Sequence, residues 1–338
     1  MAEYKSIKGY KVQSYAADPV ATAAWTTSGA LNTGRQFSAG AGTTTAGLVA
    51  GGADDPLGYT DTTEEFNGTA WTEVTAYPAS RTYLGSAGSQ TAALYMGGGS
   101  PPTATSFHYD GTNWTAGGSM GTAIKQGAAT GIQTAAFYCG GEAPALTTAT
   151  EKYNGSTWSS SGAMNTARNN NVAFGIQTDG VTVGGGNPDG PNVWKAEEYN
   201  GTSWSVGNLL NTGRANSALP GGGTSSSDGM IVGGYSPSIP TAGGYTEQTE
   251  KYNGTTWSIG TSMPIATSGS QGSRSPTSSY FVTGGDAPSA GSYRTATFIL
   301  SENTEPSTFL QEGQTWYNTA SGVLKYYNGS TTKTVTAS

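Results

Sequence analysis

The chain has 338 residues, 35% hydrophobic and only 11% charged, so it can bury a large core, while 52 glycines weigh against a helical one. A formal net charge of -7 leaves no basic excess to neutralise phosphates, which argues against a nucleic-acid partner or an anionic membrane surface. The single cysteine, Cys139, excludes an intramolecular disulfide, and no apolar run approaches the roughly 18 residues of a membrane-spanning helix.

In chain order, Met1 to Lys8 carry charges with no apolar stretch after them, so no export signal is expected. Residues 1–19 fall outside the periodicity that follows and are read as an N-terminal attachment arm. From there a repeat begins. Trp25, Trp71, Trp114, Trp158, Trp204 and Trp257 are each followed by a glycine pair beginning at Gly51, Gly97, Gly140, Gly184, Gly233 and Gly284. The step from tryptophan to glycine is 26 residues four times, then 29, then 27. Between glycine pair and next tryptophan, five repeats carry an aromatic followed by Asn-Gly or Asp-Gly, at Phe66, Tyr109, Tyr153, Tyr199 and Tyr252. A tryptophan spacing of 43 to 53 residues fits propeller blades rather than shorter helical repeats.

The third repeat shows the expected local structure. Ala135 to Cys139 is a strand-length apolar run ending in a glycine pair, and Thr150 to Tyr153 is a second strand ending at Asn154-Gly155. Asn-Gly predicts a type I′ turn, which needs positive φ at both central residues, with Trp158 opening the return strand. Asp179-Gly180 reads as another hairpin turn.

Strands ending in Gly-Gly, then an aromatic, then Trp, resemble the kelch motif over residues 20–300. The resemblance implies an all-β, six-bladed kelch-like propeller whose blades have four antiparallel strands, the innermost lining a central channel. The sixth repeat has Gly284-Gly285 but no following Asn-Gly-x-x-Trp, while Trp25 has no glycine pair before it. An N-terminal strand at residues 22 to 28 is therefore expected to complete the sixth blade and hide its edge.

Residues 301–338 form a separate C-terminal segment, read as a β-hairpin running from Gly313 to Gly329, with a further short strand at Thr332 to Val335. Gly313-Gln314-Thr315-Trp316-Tyr317-Asn318 and the later Leu324-Lys325-Tyr326-Tyr327-Asn328-Gly329 are similar to terminal modules of bacteriophage tail and fibre proteins. The opening Lys8-Gly9-Tyr10-Lys11-Val12-Gln13 with Asp18-Pro19 is similar to the start of proteins encoded by phages of marine bacteria. These resemblances imply a virion protein assembled in the host cytoplasm, docked on other virion proteins through its terminal segments.

Candidate chemistry is sparse. Copper oxidases with kelch-type propellers resemble sites of two histidines, two tyrosines and a cysteine, and this chain has only His108. No cofactor or metal is expected. His108 is read as a strand residue and Cys139 as a small buried hydrophobe. Glu65, Glu151, Glu198 and Glu250 fall one or two residues before the blade aromatic, which reads as structural. Asp54, Asp55 and Asp286 lie on loops without metal-loop spacing.

A cation follows each tryptophan: Arg35, Arg81, Arg168 and Arg214 ten residues on, Lys125 eleven, Arg274 seventeen. These six are expected to circle one face near the channel mouth, either gripping an acidic glycan or pairing with the repeat glutamates. Trp194, Tyr235 and Tyr245, in stretches that depart from the period, are the other candidate contacts for sugar or protein. The sequence thus points to a non-enzymatic virion structural protein, in a tail fibre, tail appendage or head decoration, contacting the host surface through blade loops. Its rivals are a carbohydrate-binding propeller without a phage connection and a carbohydrate-active enzyme using loop carboxylates.

Overall fold

The computed structural model describes residues 13–15, 23–54, 58–186, 194–217, 220–221, 225–236, 244–275, 279–286, 294–301, 315–318, 323–327 and 332–334. The chain is all-β, built of small, mainly antiparallel sheets whose strands follow one another in sequence. It divides into two compact units, Trp25–Ser301 and a unit joining Met1–Ala24 to Glu302–Ser338.

In the larger unit the first four-stranded sheet runs Ala39–Thr43, Ala46–Ala50, Thr63–Phe66, Trp71–Val74. The second runs Gly85–Ser89, Ala92–Met96, Ser106–Tyr109, Trp114–Ala116. The third runs Ala128–Ile132, Ala135–Cys139, Thr150–Tyr153, Trp158–Ser160, and the fourth Val172–Ile176, Asp179–Val183, Ala196–Tyr199, Trp204–Val206. A fifth sheet has three strands, Gly229–Val232, Thr249–Tyr252 and Trp257–Ile259. In a sixth, Gln271–Ser275, Ser279–Thr283 and Thr297–Ser301 are followed at the outer edge by Ala24–Ser28 from the start of the chain. On its inner side Pro220–Gly221 pairs in parallel with Gln271–Ser275, so the segment before the fifth sheet leans on its neighbour.

The repeat residues explain this geometry. Phe66 faces Trp71 across the strand pair, and equivalent aromatic-tryptophan pairs stack at 4.8 to 4.9 Å in five sheets. The turn between them is not the two-residue type I′ turn that Asn-Gly predicts. Four residues, Asn67 to Ala70, separate the pair, and only Gly68 has positive φ, at 94°. The Asn67 side-chain oxygen instead accepts the Thr69 and Ala70 N–H groups, both at 2.9 Å, an Asx turn that needs no left-handed asparagine. Asp179 and Gly180 likewise open a strand, with Gln177 and Thr178 at the turn before them.

The glycine pairs join sheet to sheet. All twelve glycines have positive φ, 61° to 70° at the first position and 75° to 106° at the second. The second glycine's N–H donates to a carbonyl of the next repeat: Gly52 to Arg81, Gly98 to Ile124, Gly141 to Arg168, Gly185 to Arg214, Gly234 to Thr267 and Gly285 to Arg35, at 2.7 to 3.0 Å. A Cβ on Gly51 would stand 2.6 Å from the Arg81 carbonyl oxygen, so no other residue fits.

A second set of bonds runs deeper in the repeat. The N–H of Tyr83 donates to Phe37, Gln126 to Tyr83, Asn170 to Gln126, Asn216 to Asn170, Gly269 to Asn216, and Phe37 to Gly269, at 2.6 to 3.4 Å. Each acceptor is also a donor, so these six bonds make a closed cycle.

The core lies between neighbouring sheets. Leu48 and Ala50 of the first pack with Tyr95 and Tyr109 of the second, and Phe137 and Cys139 of the third with Tyr199 and Trp204 of the fourth. Phe281 of the sixth packs with Phe66 and Trp71 of the first, and the Trp71 indole donates to Thr297 Oγ1 at 2.8 Å. The Trp25 indole donates to the Thr261 carbonyl at 2.8 Å, and Thr26 Oγ1 to the Ile299 carbonyl at 3.3 Å.

In the smaller unit, Thr315–Asn318 pairs antiparallel with Val323–Tyr327, which pairs with Thr332–Thr334. Gln13–Tyr15 adds in parallel to Thr315–Asn318, with Gln13 opposite Trp316. Strands from near both ends of the chain thus share one sheet.

Candidate functional site

Arg35, Arg81, Lys125 and Arg168 stand three or four residues before the first strand of their sheets, Arg214 lies ahead of the fifth sheet, and Arg274 lies within a strand of the sixth. Arg168 is wholly buried: its guanidinium donates to the carbonyls of Gly184 and Lys195 and pairs with Glu197 at 2.6 Å. Glu197 also accepts the Asn165 N–H at 2.6 Å, its side-chain amide at 2.9 Å and the Thr166 N–H at 3.1 Å. Arg35 with Glu64 and Arg214 with Glu250 repeat this unit, again with both partners buried. Burial pulls these guanidinium pKa values below their ordinary range, and the facing carboxylate opposes the shift. Of the two readings, ligand grip or pairing with the repeat glutamates, these three positions show the pairing, and each arginine has no exposed surface.

The glutamates fall into two registers. Those two residues before the aromatic, Glu64, Glu151, Glu197 and Glu250, are buried and cap the cation segment. Glu65 and Glu198, one residue before it, lie on the opposite strand face and accept the hydroxyls of Tyr109 and Tyr252 from the following sheet. His108 holds the equivalent place, with its Nε2 2.8 Å from the Tyr153 hydroxyl. Phe66 has no hydroxyl, and Ile299 packs against its cluster.

The remaining cations differ. Lys125 meets Glu142 at 3.7 Å, with both side chains part-exposed, and leaves Glu151 to the Gly121 N–H at 2.7 Å. Arg81 is half-buried and donates to Thr105 Oγ1; the glutamate position of its sheet is Phe107. The Arg274 backbone pairs with Tyr280, and its side chain lies outside the described residues. Trp194 is half-buried, and its carbonyl accepts the Leu210 N–H at 2.9 Å, the bond that Asp61 makes with Tyr77 and Thr148 with Met164. Its backbone therefore belongs to the repeat. Tyr235 and Tyr245, both half-buried, meet edge to face at 6.1 Å, and Tyr245 donates to Asp286 at 2.8 Å. Burial and that carboxylate push the Tyr245 hydroxyl up to about 12.

Other reactive groups are enclosed. Cys139 is buried among Phe137, Met164 and Trp204, and desolvation pushes its thiol up to about 12. Desolvation lowers the His108 pKa. Among the described residues no three His, Cys, Asp or Glu side chains gather as a metal site.

One concave site among the described residues borders the cycle of bonds. A cavity of about 150 Å³ is lined by Phe37, Tyr83, Gln126, Asn170, Asn216 and Gly269, and below them by small residues such as Gly40, Ser86 and Ala129. None of its described lining residues is charged. All six cycle residues are left-handed, with φ from 51° to 65°. The residue types give no hint of them; the one available signal is their fixed place twelve residues after the repeat tryptophan. Nor does residue type single out Gln90, Gln133 and Gln177, whose side-chain amides clamp two carbonyls of the preceding sheet.

Compared with known proteins, the chain matches no protein-family model and no curated protein.

Proposed function

We propose that residues 24–301 form a six-bladed, kelch-like β-propeller, sealed by Ala24–Ser28 beside Thr297–Ser301, and that the chain is a non-enzymatic structural protein of a bacteriophage particle. The observation that carries the ring is the cycle of six backbone bonds, in which the last, Phe37 to Gly269, joins the sixth repeat to the first. The diglycine bonds support it independently, since Gly285 reaches Arg35 as each other pair reaches its successor.

The non-enzymatic reading is supported by how the repeat uses its chemistry. Three arginines are consumed in buried ion pairs, His108 bonds Tyr153, and the Cys139 thiol is desolvated. The virion setting rests on the similarity of the terminal residues to phage tail and fibre modules. The terminal segments would then dock on other virion proteins, in a tail fibre, tail appendage or head decoration, with blade loops turned to a host surface glycan or receptor.

Mass spectrometry of purified particles tests the setting: the chain is expected among the virion proteins, and its absence there defeats the proposal. Incubation with host polysaccharide tests the enzyme alternative, and release of reducing ends that is lost on substituting loop carboxylates would replace the structural reading.

A further inference from the structure

We propose that the mouth of the axial cavity is a binding site for one neutral saccharide ring, formed by Phe37 and Tyr83 on one side and the amides of Gln126, Asn170 and Asn216 on the other. The site rests on the ring reading above and holds whether or not the chain is carried on a particle.

Backbone conformation is the starting point. The cycle requires a left-handed residue at each of six positions, and Gly269 meets that requirement without a side chain. Glycine would serve at the other five, yet Phe37, Tyr83, Gln126, Asn170 and Asn216 stand there at φ of 51° to 61°. Asparagine tolerates this region; phenylalanine and tyrosine rarely enter it. Bulky side chains held in an unfavourable backbone region around a cavity mark a site where the side chains themselves matter.

Their identities break the symmetry that the rest of the repeat obeys. Phe37 and Tyr83 lie 4.6 Å apart with planes 33° from parallel, and Phe37 also covers Gly269, whose Cβ would meet its ring at 2.8 Å. These three adjacent positions give one continuous apolar surface. In the order of the cycle, Asn170 stands opposite Phe37, Asn216 opposite Tyr83 and Gln126 opposite Gly269. Asn169 supports the amide side by donating to Gln126 Oε1 at 3.2 Å.

A sugar ring matches this division. Its C–H face stacks on aromatic rings, while its hydroxyls both donate and accept, as carboxamides do. A cavity of about 150 Å³ holds a bare six-atom ring such as benzene, so a hexose would seat one face of its ring there and keep its remaining substituents outside. With no charged side chain among the described lining residues, a uronate or amino sugar would bring a charge without a partner.

The test uses saturation-transfer NMR and titration calorimetry on the full chain. The probes are neutral methyl glycosides of glucose, galactose, mannose, fucose and N-acetylglucosamine, with glucuronate as the charged counterpart. At least one neutral glycoside is expected to bind at one site per chain, and glucuronate at least tenfold more weakly. Asn170→Gly and Asn216→Gly keep the left-handed backbone, as Gly269 does, and are expected to weaken binding tenfold or more with the melting temperature unchanged or raised. The double variant F37G/Y83G is expected to abolish binding. If no neutral glycoside binds, or if binding survives both asparagine variants at full strength, the site is refuted. Loss of the cycle's hydrogen bonds in the wild-type chain would instead refute the ring on which it rests.

Discussion

Removal of Glu197 tests how much of the stability the buried repeat units hold. In Glu197→Ala, the Arg168 guanidinium and two backbone N–H groups lose the carboxylate, and the Asn165 amide keeps only the Trp204 carbonyl. Arg168 keeps the carbonyls of Gly184 and Lys195 but becomes a buried cation without a counter-charge. Breaking one side of such a pair costs about 3–5 kcal/mol. The third sheet supplies an internal control, because Glu151 accepts the Gly121 N–H while Lys125 turns to Glu142. Glu151→Ala should therefore cost less, about 1.5–3 kcal/mol, the loss of one hydrogen bond to a charged group with no buried cation left behind. Replacing both partners, in R168M/E197M, avoids the unpaired buried charge but still strips the Asn165 and Thr166 donors and the Gly184 and Lys195 carbonyls of their partners, so it should cost less than Glu197→Ala yet remain destabilising by about 1–3 kcal/mol. Urea unfolding followed by tryptophan fluorescence measures all three, with Trp204 stacked on Tyr199 as a nearby reporter. Equal costs for the two single variants, or a double variant as unstable as Glu197→Ala, would refute the reasoning.

Three further outcomes follow from the packing between sheets. Phe66→Tyr places a hydroxyl where the neighbouring sheet offers Ile299 rather than a glutamate, so it should destabilise by about 1–3 kcal/mol; adding Ile299→Glu should recover most of that in a double-mutant cycle, and a cycle with no coupling counts against contact between the first and sixth sheets. The buried, desolvated Cys139 should stay unreactive towards a thiol reagent at pH 8 in the folded chain and react on unfolding, which a mass-shift time course reads directly. The His108 pKa is lowered in the folded state, so the unfolded chain takes up its proton first and stability falls as pH drops below the free-histidine value of about 6.5. His108→Gln should remove that part of the pH dependence, seen as a smaller drop in melting temperature between pH 7 and pH 5.

The tryptophans, glycine pairs and aromatic-Asn-Gly triplets made the sheets legible because each has one dominant structural use: a cross-strand stack, a left-handed exit beneath a neighbour's carbonyl, and a turn. The turn type was misread because the Asn67 side chain, rather than a left-handed Asn67 backbone, caps the loop. Treating Glu65 and Glu151 alike concealed a strand's alternation: neighbouring positions face opposite sides, so one class holds arginine segments and the other holds tyrosines of the next sheet. The parallel pairing of Gln13–Tyr15 with Thr315–Asn318 has no local signal, since its partners come from opposite ends of the chain. The left-handed residues at the cavity were hidden for a different reason: nothing in the propensities of Phe37 or Tyr83 suggests a left-handed backbone, and the surrounding cycle imposes it.

A closed ring depends most on the bond that joins the last repeat to the first. Through-hydrogen-bond NMR coupling between the Phe37 amide nitrogen and the Gly269 carbonyl carbon measures it in deuterated protein. A closed ring predicts this coupling together with the five others of the cycle. Detection of the other five without it would mean an open array, and would contradict the closed ring.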